Sequence, residues 1–165
     1  MLPAIEGRAL EHIRRALASR APEIVFPAMS AVARWIQLAE RDGVAFPPVL
    51  AREVASLCGM RREPALFPAL QMARKLVIAG LATEEDQDRL VEALELLAVE
   101  TDYATQDEGD FNAMSLTLVR KECVRLADAL ANAGRQAAAL KSWVEKAPGD
   151  PIPEVRYALF EPDDT

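Results

Sequence analysis

The chain has 165 residues, 51% of them hydrophobic and 27% charged, which is enough apolar material for one buried core. Charges interrupt every apolar run before it reaches the roughly 18 residues of a membrane span. The formal charge is −7, which argues against the basic surface that duplex nucleic acid requires.

The elements follow from spacing. Residues 5–19 place Ile5, Ala9, Leu10, Ile13 and Leu17 at helical intervals. Glu6, Arg8 and Glu11 break the continuous apolar core that a signal peptide would need, so a cytoplasmic location is expected. Pro22 opens a second helix that runs to Asp42, with Gly43 as its stop and Pro27 either kinking it or marking its true start. Pro47-Pro48 opens a shorter helix that turns Val49, Leu50, Val54, Leu57 and Cys58 inward before Gly59. Pro64 opens the next, with Leu66, Leu70, Ala73 and Val77 inward and Gly80 at its end.

Thr83 followed by Glu84-Glu85-Asp86 is a helix start: a hydroxyl caps the first N–H groups, and carboxylates suit the positive end of the helix dipole. That helix buries Leu90, Val91, Leu94, Leu97 and Ala98 and leaves Asp88, Glu92, Glu95 and Val99 on the opposite side. Residues 102–110 form a polar loop. Its Asp107-Glu108-Gly109-Asp110 lacks the alternating ligands of a calcium loop. Residues 111–132 and 135–147 form two further helices, divided by Gly134, and a short final helix starts at Pro151 and fades after Phe160. No apolar/polar alternation marks a strand, so the expected fold class is all-α.

A phrase also returns. Phe26-Pro27-Ala28-Met29-Ser30 reappears as Phe67-Pro68-Ala69-Leu70-Gln71 and then as Phe111-Asn112-Ala113-Met114-Ser115. Each copy opens a helix carrying a cation further on: Arg34, then Arg74-Lys75, then Arg120-Lys121. A repeat of about 40–47 residues marks stacked helix pairs. The expected architecture is a single domain of seven to eight helices in about four pairs, with units near 1–20, 21–60, 61–110, 111–150 and 151–165.

The last unit carries a family likeness. Trp143-Val144, then Asp150-Pro151-Ile152-Pro153-Glu154-Val155-Arg156-Tyr157-Ala158-Leu159, resembles the junction between HEAT repeats. Over the rest of the chain the likeness is one of period, and armadillo-type units remain an alternative. The resemblance implies an α-solenoid in which helices 5–19, 47–58, 84–101 and 135–147 line the concave side. Those at 22–42, 64–80, 111–132 and 151–160 would form the outer layer. It implies that Asp150 and Arg156 join a polar ladder between units and that Leu140, Trp143, Val155 and Leu159 are core.

The inventory of catalytic groups is thin. His12, the sole histidine, lies among Glu11, Arg14 and Arg15 on a helix surface, and Cys58 and Cys123 sit in apolar stripes as buried thiols. With one His and two distant Cys there is no zinc cluster, and no glycine-rich phosphate loop or nucleophile elbow is present. No enzyme activity, cofactor or metal is expected. HEAT-like DNA glycosylases form a rival class, for which Trp35, Trp143 and the Arg14-Arg15 and Arg61-Arg62 pairs could be enlisted. The acidic inner helix would repel a phosphate backbone, and Trp35 and Trp143 read better as core.

The charge is polarised. Residues 1–80 carry a balance of +4 and residues 81–165 one of −11, with 11 acids between Thr83 and Asp110. The expected function is a protein-interaction scaffold that meets a basic protein or peptide on the concave face. Asp88, Glu92 and Glu95 are the contact residues, with Arg52 and Lys141 on the neighbouring inner helices. The alternative is a regulatory or capping part of a larger protein. With 15 Arg against 4 Lys, a GC-rich and bacterial source is expected.

Overall fold

The computed structural model describes residues 3–59, 65–104 and 113–160. The Arg61-Arg62 pair, Pro64, Phe111-Asn112, the acidic stretch 107–110 and the terminal 161–165 lie outside the described residues.

Eight α-helices account for the described structure: α1 (Pro3–Ala18), α2 (Pro22–Asp42), α3 (Pro48–Cys58), α4 (Leu66–Ile78), α5 (Glu84–Glu100), α6 (Ala113–Asn132), α7 (Ala138–Lys146) and α8 (Pro153–Arg156). No strand occurs among the described residues. The helices sort into two layers. In one, α1 packs on α3, α3 on α5, and α5 on α7. In the other, α2 packs on α4, α4 on α6, and α6 on α8. Contacts of α1 with α2, α3 with α4, α5 with α6 and α6 with α7 join the layers. The alternation expected from the sequence is the observed packing.

The core lies in the seam. Leu50 of α3, Leu70 of α4, Leu94 of α5 and Leu126 and Leu130 of α6 are fully buried. Full burial of such a side chain contributes about 1.5–3 kcal/mol. Cys58 and Cys123 are free and buried, and desolvation pushes both thiols up from their ordinary values, so they act as apolar filler.

Local signals explain the helix ends. Thr83 forms a complete capping box: its Oγ1 accepts from the Asp86 N–H at 3.1 Å, and Asp86 Oδ2 accepts from the Thr83 N–H at 3.0 Å. Gly80, at φ 73°, lets the Leu81 N–H reach back to the Leu76 carbonyl at 2.9 Å. Helix α2 runs through Pro27 without a break. The Glu23 carbonyl forgoes its donor there, but Glu23 and Pro27 are both exposed, so solvent can replace it.

Three expectations need correction. The final helix does not extend from Pro151 to Phe160; it is one turn, because Pro151 and Pro153 restrict the chain before it and turns follow Arg156. Leu159 is not core but 39% exposed, on those turns. Ala98 is not part of the buried stripe of α5 but exposed. In α6, Leu116 and Val119 take the inward positions expected of them, and Met114 is 73% exposed.

Replacing Thr83 with alanine should remove one arm of the capping box and lower stability by about 1 kcal/mol. Urea unfolding should show a lower midpoint with an unchanged slope.

Candidate interaction surface

Helix α5 turns Leu90, Val91, Leu94 and Leu97 into the core. At 3.6 residues per turn this fixes Asp88, Glu92, Glu95 and Val99 on the far side, and all four are exposed. Its neighbours in the layer, α3 and α7, present Arg52 and Lys141, also exposed. The five residues expected to contact a partner are thus all on the surface of one layer.

They are not equally available. Asp88 forms an ion pair with Arg135, which sits just after the Gly134 turn between α6 and α7. Lys141 pairs with Glu145 one turn along α7 at 3.8 Å. Asp88 and Glu92 line a crevice of about 440 Å³ against the 134–137 turn, and Lys141 lines a neighbouring one of about 540 Å³ that shares Arg135 with it. Arg52 and Glu95 line neither crevice. Among the described residues no ion pair or hydrogen bond engages the side chains of Glu92 or Glu95. Arg135 is the residue that sequence reasoning missed, because its pairing spans two elements and leaves no local signature.

A second cluster lies deeper. Asp150, buried beside α7, accepts from Arg120 of α6 through Oδ2, at 3.1 Å from Nε and 2.9 Å from Nη2. Its Oδ1 accepts from the Tyr103 hydroxyl and from the Ile152 N–H, the latter at 2.9 Å. Arg120 Nη1 donates to the Thr101 carbonyl and hydroxyl, both at 3.1 Å. The guanidinium also lies between two aromatic faces, 4.6 Å from the Tyr103 centroid and 5.1 Å from that of Trp143. Trp143 is buried, and its N–H donates to the Leu94 carbonyl at 2.9 Å. Burial and the hydrogen bond to Asp150 push the Tyr103 hydroxyl well above its ordinary range.

These groups border a cavity of about 270 Å³, so a charged cleft does form beside Trp143. The groups around Asp150 are nevertheless occupied within the protein: both Asp150 oxygens, the Arg120 fork and the Trp143 N–H all have partners. This is the arrangement of a structural seam, with Asp150 at its centre. Arg156 takes part through the backbone, its Nε donating to the Asp150 carbonyl at 3.1 Å. Trp35 is half-buried against the core and donates to the Ala45 carbonyl at 3.1 Å.

A further buried pair joins Arg125 to Glu122 at 3.3 Å on α6, where Arg125 Nε also donates to the Ala158 carbonyl at 3.0 Å. Desolvation raises the Glu122 carboxyl against the opposing pull of Arg125 and Arg74. His12 is exposed on α1, and no group of three or more His, Cys, Asp or Glu gathers into a metal site among the described residues. No described helix is long and apolar enough to cross a membrane.

Comparison with protein-family models, with curated proteins and with solved structures found no match.

Arg120→Met should leave Asp150 charged and buried without its guanidinium, at a cost of about 3–5 kcal/mol. Denaturant unfolding of wild type and variant would measure it; a cost under about 1 kcal/mol, typical of an exposed pair, would show that the seam is not structural.

Proposed function

We propose that the chain is a HEAT-like helical-repeat module, without catalytic activity of its own, that binds a basic protein or peptide through the α1–α3–α5–α7 layer. The observation that carries this reading is the outward face of α5. There, Glu92 and Glu95 lie about one turn apart, exposed, on a helix whose other side is buried in the core. A carboxylate row of this kind orients and speeds the encounter with a cationic partner more than it fixes the affinity. Arg52 and Lys141 flank the row and would select the partner's register. Asp88, already paired with Arg135, would contribute by exchanging that pairing for one with the ligand.

A second reading is a module that packs against another part of a larger protein. The apolar surface after α8 favours it: Tyr157, Leu159 and Phe160 are 52%, 39% and 80% exposed.

The test is affinity capture from lysate, with and without nuclease treatment, using wild type and the Glu92→Lys/Glu95→Lys variant. Both substitutions are at exposed positions, so helical content should be unchanged by circular dichroism. A protein retained by the wild type, lost by the variant and released by moderate salt is the expected result. Capture that survives the double reversal would refute the α5 assignment. Material that disappears with nuclease would point to nucleic acid, and no capture at all would favour the intramolecular reading.

A further inference from the structure

We draw no further inference here: the strongest candidate, the cavity of about 270 Å³ beside Trp143 where the end of α5 meets α6 and α7, belongs to the polar seam already described, and nothing in the structure commits it to a ligand.

Discussion

A helix whose apolar stripe is wider than one neighbour can cover is stable only inside a stack, and the central helix α4 is of that kind. Helix α4 buries Leu66, Ala69, Leu70, Met72, Ala73, Leu76 and Val77 within thirteen residues. No single partner could cover so broad a face. It is covered by α3 across the seam and by α2 and α6 on its flanks. The same geometry leaves each helix only its outward stripe for anything other than packing. Those stripes are where charge can stand without disturbing the core, and the acidic row of α5 is made of one.

The exception to an apolar interior is the polar seam around Arg120, and it solves a local problem. Helix α8 is a single turn, far below the length at which a helix persists by itself. Packing on α6 alone gives it little area. Hydrogen bonds supply the rest: Arg156 holds the Asp150 carbonyl, Arg125 holds the Ala158 carbonyl, and Asp150 is held through its carboxylate by Arg120. A buried charge without such partners would be costly. In this seam the fork is met by a carboxylate, a carbonyl, a hydroxyl and two ring faces. The seam fastens the last turn of chain to α5, α6 and α7 at once.

What the sequence disclosed, and what it did not, divides along the same line. On α5 the side each residue faces follows from phase within one helix, so Leu90, Leu94 and Leu97 could be placed inward and Glu92, Glu95 and Val99 outward without further information. The capping box at Thr83 was equally local. Pairings between elements were not. Nothing adjacent in sequence links Asp88 to Arg135, or Tyr103 and Arg120 to Asp150, because stacking alone brings them together. Phase misplaced Ala98, which stands at the edge of the α5 stripe and is exposed. Leu159 failed for a different reason: a short motif implied a continuing helix, whereas the chain passes into turns after Arg156. The two-layer order was legible because proline and glycine punctuation set the helix lengths, and amphipathic helices of those lengths pair with their neighbours.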